Sequence, residues 1–189
     1  ATGVMIVVAA IGLVAFMPES WTERMLSIEE YREDGSAMGR ISAWWTAWGV
    51  AKSHFFGAGF NVARDELFAA FSPYYTGTTH AAHSIYFQVL GNHGFVGLLL
   101  FLLIWLMSWR TAAWLRKHAK SIPEARWCQD LGAMCQVSLV GYAVGGAFLS
   151  LSYFDLPYNI MVALVLARVW VRTRAWEREH TGSGDDPPR

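Results

Sequence analysis

From Leu67 to Trp109 the chain carries no Asp, Glu, Lys or Arg, and the stretch closes on GFVGLLLFLLIWLMSW at 94–109. As a helix, those last residues would cover about 24 Å of a hydrocarbon core that is roughly 30 Å thick. Such a segment is at home in lipid and sets the terms for the rest of the chain. Composition agrees. Of 189 residues, 54% are apolar and 16% charged, against roughly 45–50% and about 25% in soluble chains. Fifteen basic and fifteen acidic residues cancel, which argues against a nucleic-acid binder. The two cysteines, Cys128 and Cys135, form neither a disulfide framework nor a zinc pattern.

Three further apolar stretches read as spans: 1–18, 131–154 and 156–171, with Arg168 near enough to the end of the last to snorkel. The chain opens without Met, inside an apolar run, and so reads as the C-terminal part of a longer protein. The intervening charges set the sidedness. Arg110, Arg116, Lys117, Lys120 and Arg126 face only Glu124 and Asp130, and Arg168, Arg172, Arg174, Arg178 and Arg189 follow towards the C-terminus. By the positive-inside rule the 110–130 connection and the 172–189 tail are cytoplasmic. The 19–93 segment, with eight acids against Arg24, Arg32, Arg40, Lys52 and Arg64, then lies outside. The expected fold is all-α: a polytopic transmembrane helical bundle with a long, partly helical periplasmic loop. Gly141 and Gly145, with Gly146 beside them, form a small-xxx-small pair suited to a close helix neighbour. Tyr153, Tyr158, Trp170 and Trp176 suit the lipid interfaces. The polar tail TGSGDDPPR suits disorder.

A loop of this length is more than a connector. Capping-box spacing at Ser20–Glu23 and Ser27–Glu30 predicts two short helices, with Gly35 as a stop. Ile41, Trp44, Trp45 and Trp48 recur at helical spacing and suit a helix lying in the membrane interface. Gly57 and Gly59 either allow a turn with close backbone approach to a ligand or end that helix.

Residues 83–97 read HSIYFQVLGNHGFVG: a histidine, a serine, nine residues, then Gly94-x-x-Gly97. Placed at the external mouth of a span, this resembles the signature of the O-antigen ligase superfamily, and SAMGR, ending at Arg40, resembles the family's upstream arginine element. YFDLPYN at 153–159 and the wording around Gly94 are most similar to the O-glycosylation ligases associated with the exosortase A system. The resemblance runs from Arg40 to Asn159 and covers only the C-terminal half of such a protein. It implies a glycosyltransferase of the bacterial inner membrane, without a cofactor, that moves a glycan from undecaprenyl diphosphate to an acceptor hydroxyl on the periplasmic side. Basic residues from earlier loops would precede residue 1, so this part alone is expected to be inactive.

The residue chemistry fits. An arginine is always charged and offers a planar fork of donors for phosphate oxygens, so Arg40 is the candidate diphosphate clamp. A histidine titrates near neutrality and can take the proton of an incoming hydroxyl, so His83 is the candidate general base. Arg64 and His80 are secondary substrate-binding candidates. Arg64 has the same chemistry but no motif around it, and the reading as a solvated charge prevails there. The alternative for His83 is a helix-start histidine bonded to backbone; for Arg40 it is a loop charge paired with Glu33 or Asp34. A metal cluster of His80, His83 and His93 lacks a nearby carboxylate or thiol, so no metal is expected. Two other functions compete: a polymerase using the same donor, and a transporter or flippase subunit without chemistry, for which Gly91–Gly97 would be a broken-helix site.

Overall fold

The computed structural model describes residues 35–177, whose regular structure is all helical, with no strand among the described residues. The expected span at 1–18, the two short helices expected before Ser36 and the polar tail lie outside the described residues. The elements are α1 (Gly35–Ser53), α2 (Asp65–Phe71), α3 (Ile85–His118), a 3₁₀ turn (Pro123–Ala125), α4 (Arg126–Gly146) and α5 (Asp155–Arg172). α3 is the spine: α1, α4 and α5 all pack against it, and α2 packs on α1.

The tryptophan spacing predicts α1 correctly as a helix, but the stripe is not its buried face. Gly39, Ser42, Ala43, Thr46, Ala47 and Val50 are buried, while Trp45 and Trp48 face outward. Small side chains on one face let α1 approach α3 closely. Gly35 lies within α1.

α3 starts at Ile85 and ends at His118, beyond both ends of the predicted 94–109 stretch. Position 94 is nevertheless a real boundary. Gly94 has φ 65° and ψ −163°, a region that only glycine enters readily, and the helix breaks there. The break releases the carbonyls of Gly91 and Asn92 from their usual partners four residues on. The amides of Ala58 and Gly59 take them, at 3.0 and 2.9 Å. Gly57 and Gly59 thus bring backbone close to backbone. A Cβ at Gly57 would lie 2.5 Å from the Asn92 carbonyl.

Beyond the break, residues 95–118 rise about 36 Å, enough to cross a bilayer. Among the described residues α3 alone is long and apolar enough to do so. Leu99, Leu100, Leu102, Leu103, Leu106 and Met107 stand exposed along it. Water would penalise that belt and hydrocarbon would not. Arg116, Lys117 and His118 complement the negative end of the helix dipole in the last turn.

The main core lies below the break, where Ala112, Leu115, Cys128, Leu139, Leu164 and Ala167 close the α3–α4–α5 contact. α4 and α5 are helices of 21 and 18 residues. α4 is offset from the predicted 131–154, since residues 147–154 form a connection. The Gly141/Gly145 pair meets nothing within 4 Å; Gly146 is the glycine that packs, against Ile85.

Candidate functional site

The polar features gather at the end of α3 above the break. The connection after α4 is stitched to residues 83–93 by side chains some sixty positions away in sequence. Ser150 Oγ accepts from the His83 amide at 3.2 Å. Ser152 Oγ, fully buried, lies 2.8 Å from Gln88 Oε1 and 3.0 Å from the Ile85 carbonyl. Asn92 Nδ2 donates to the Tyr153 hydroxyl at 2.7 Å, which leaves the phenol proton free for His93 Nε2 at 3.0 Å. Phe60, from the loop that caps the helix break, packs edge-on against His93.

These contacts enclose a cavity of about 160 Å³ walled by α1, the 60–63 loop, the 80–82 loop and α3. Its polar lining is Asn61, His80, Gln88, Asn92 and Ser150; its apolar floor includes Ala43, Ala47, Phe68 and Phe87. It is headgroup-sized, below the roughly 300–1,000 Å³ of a drug-sized site. On the far side of Phe87 lies an open apolar groove of about 340 Å³ formed with Ile41, Trp44, Trp45 and Trp48. Phe87 is common to both, so a polar recess and an apolar trough adjoin.

Of the four predicted residues only His80 lines the cavity; Arg40, His83 and Arg64 lie outside its lining. His80 is half-buried in the cavity wall, its ring seated on Gly39 so closely that a Cβ there would lie 2.7 Å from Nδ1. Arg40 follows on the same helix, half-buried, and its Nε is sealed from solvent without a hydrogen-bond partner. A buried donor left unpaired costs about 1–3 kcal/mol, so an acceptor reaching Arg40 would be strongly favoured. Glu33 and Asp34, its alternative partners, lie outside the described residues. His83 is exposed, next to the wall residue Ala82 rather than in the wall. Its backbone is left-handed, φ 44°, a conformation uncommon outside glycine and associated with functional sites. Arg64 is exposed at the N-cap of α2 on the loop that forms one wall. Among the described residues no hydrogen bond or ion pair joins Arg40 to His83, and no three His, Cys, Asp or Glu side chains come together.

Sequence reasoning missed Gln88 and Asn92, although their spacing of four puts them on one face of α3. It also missed the role of Trp44, whose indole Nε1 donates to the Ala82 carbonyl at 2.6 Å and whose ring stacks on Phe87 at 5.0 Å. Trp44 thereby holds the strand of chain that presents His83. At the rim, Tyr75 donates to Asp65 at 2.8 Å, and that bond holds its phenol above the ordinary 10.0.

The family described as O-Antigen ligase matches residues 1–102, a stretch that contains Arg40, Arg64, His80, His83 and the Gly94–Gly97 pair. The chain belongs to the O-antigen ligase family. This is a membrane protein family, and membership implies glycosyltransferase-like activity on a lipid-linked glycan. No curated protein and no solved structure matches the chain. YFDLPYN lies beyond the matched residues, so the nearer resemblance to exosortase-associated ligases rests on those residues and the wording around Gly94.

Proposed function

We propose that this chain is the catalytic part of a membrane glycan ligase that transfers an oligosaccharide or polysaccharide from undecaprenyl diphosphate to an acceptor hydroxyl on the periplasmic face. The observation that carries the proposal is the sealed, unpartnered Nε of Arg40 in a chain whose family acts on lipid-linked glycans. A diphosphate oxygen is the acceptor such a guanidinium suits best. The donor's headgroup enters the recess beside His80, and its prenyl chain lies over Phe87 into the tryptophan-lined trough.

His83, exposed at the mouth, meets the acceptor arriving from outside. It takes the hydroxyl proton, the freed oxygen attacks the anomeric carbon, and the bond from that carbon to the diphosphate breaks. The electron pair leaves with undecaprenyl diphosphate, whose charge Arg40 meets. Trp44 and Ser150 position His83 through the backbone at Ala82 and at His83 itself. Arg64 supplies secondary positive charge at the rim. The reaction proceeds without metal or cofactor.

The proposed setting is the bacterial inner membrane, with α3 beyond Gly94, α4 and α5 spanning and 1–18 a further span. Residues 19–93 are then periplasmic, and 110–130 and 172–189 cytoplasmic. The exposed apolar belt of α3 and the basic residues at its far end support this sidedness. The acceptor-polymerising variant of the activity uses the same donor chemistry and differs in what occupies the mouth. A transport role draws little from the helix break, because loop amides already hold the two carbonyls it frees.

Deletion of the gene in its host should remove one glycoconjugate while its lipid-linked precursor accumulates. Transfer by the purified full-length protein should persist in EDTA. An unchanged glycan profile, or activity that returns only on adding magnesium or manganese, would contradict the proposal.

A further inference from the structure

Between α3 and α5, away from the cavity described above, lies a groove of about 600 Å³. Its walls are apolar and outward-facing: Met107 and Leu166 are 66% and 63% exposed, and Ile104 and Val165 stand beside them. Ser108 and Thr111 also line it, but their hydroxyls bond back to the Ile104 and Met107 carbonyls at 2.9 and 2.8 Å. The polar capacity left in the groove is therefore at one end, in Arg168 and Arg172, one helical turn apart.

Neither arginine has an ion-pair partner among the described residues. Arg168 lies with Cζ 5.2 Å over the Trp114 ring, and its Nε is buried without a hydrogen-bond partner. Arg172 is exposed. Among the described residues the one ion pair is Arg174 with Glu177, 3.3 Å, and it involves neither. Through Trp114 this end of the groove meets the end of α3 that carries Arg116, Lys117 and His118 in its last turn. An apolar trough closed by two unpaired guanidinium groups calls for an amphipathic anion. Basic recesses between helices on the cytoplasmic side take phospholipid headgroups by this chemistry.

We propose that the groove binds an anionic phospholipid of the surrounding bilayer, its phosphate on Arg168 and Arg172 and an acyl chain along Met107, Val165 and Leu166. Stacking on Trp114 holds the Arg168 fork in place, so little side-chain freedom is lost when phosphate arrives. The proposal rests on α3 and α5 lying in a membrane and is independent of the glycan chemistry at the opposite end.

The test uses the full-length protein, purified in mild detergent and offered phosphatidylglycerol or phosphatidylcholine with matched chains, with retained lipid read by native mass spectrometry. Phosphatidylglycerol should be retained in preference to phosphatidylcholine. Arg168→Gln with Arg172→Gln should lower its retention about thirtyfold, at about fivefold per arginine. Arg174→Gln, off the groove, should leave it unchanged. Leu166→Trp, at an exposed position, should also displace the lipid by filling the trough with both charges intact. A photo-crosslinking p-benzoylphenylalanine in place of Val165 should capture lipid. Equal retention of the two lipids, wild-type retention by the double variant, or crosslinks to residues 1–17 or to a second copy of the chain would overturn the proposal.

Discussion

Gly94→Ala tests whether the helix break organises the site. Two costs follow from the geometry. At φ 65° and ψ −163° a non-glycine residue is strained by about 1–3 kcal/mol. The new Cβ would also lie 2.0 Å from the Phe55 carbonyl oxygen, a backbone atom that cannot swing aside. Moving it means lifting the 55–59 loop, which breaks the Ala58–Gly91 and Gly59–Asn92 bonds, each worth about 0.5–1.5 kcal/mol net. The sum is a destabilisation of about 2–6 kcal/mol. Unfolding of the purified protein in detergent, followed together with hydrogen exchange at the Ala58 and Gly59 amides, measures both parts. Gly141→Ala is the control of opposite sign. It adds a methyl group in open space on a helix and should stabilise by about 0.5–1 kcal/mol. If Gly94→Ala unfolds like the parent while both amides stay protected, the loop does not depend on the break and the argument is wrong.

Gly39→Ala pushes a methyl group to 2.7 Å from His80 Nδ1; the ring can yield, so transfer should fall several-fold with little loss of stability. A transfer assay beside a thermal melt separates the two. Tyr153→Phe removes the hydroxyl between Asn92 and His93, strands a buried amide donor and should cost about 1–3 kcal/mol in unfolding free energy. Cysteines placed at Thr78 and Lys120, both exposed, should label from opposite sides of the membrane. Labelling of both by an impermeant thiol reagent added outside intact spheroplasts would contradict the sidedness.

How far the fold was legible depended on the range of the forces involved. α1 was readable because its apolar spacing is local, and so was the lipid character of α3. The start of α3 was not, since Ser84 at its N-cap makes no side-chain capping bond and no charge marks the entry. Gly94 belongs to a recognisable motif, but its conformation depends on the 54–60 loop packing across it. The same holds at the site. His83 and Arg40 were nominated by motif and chemistry, whereas the bonds tying Ser150, Ser152 and Tyr153 to residues 83–93 join positions 60–67 apart. Nothing local in sequence encodes such pairings. The small-residue pair at Gly141 and Gly145 shows the converse: a clear local pattern that meets no partner among the described residues.

The central claim divides labour between His83 and Arg40, and it is best tested by measuring transfer and donor binding separately on purified full-length variants. The substrate is a glycan on a lipid diphosphate. His83→Asn suits the first half, because asparagine tolerates the left-handed backbone at this position while lacking the base. Donor binding should persist and transfer should fall about 10²–10⁴-fold. Arg40→Ala should weaken donor binding and turnover together, and Arg40→Lys should restore little, since an ammonium keeps the charge but loses the fork. Normal transfer by folded His83→Asn, or unchanged donor affinity in Arg40→Ala, would contradict the account.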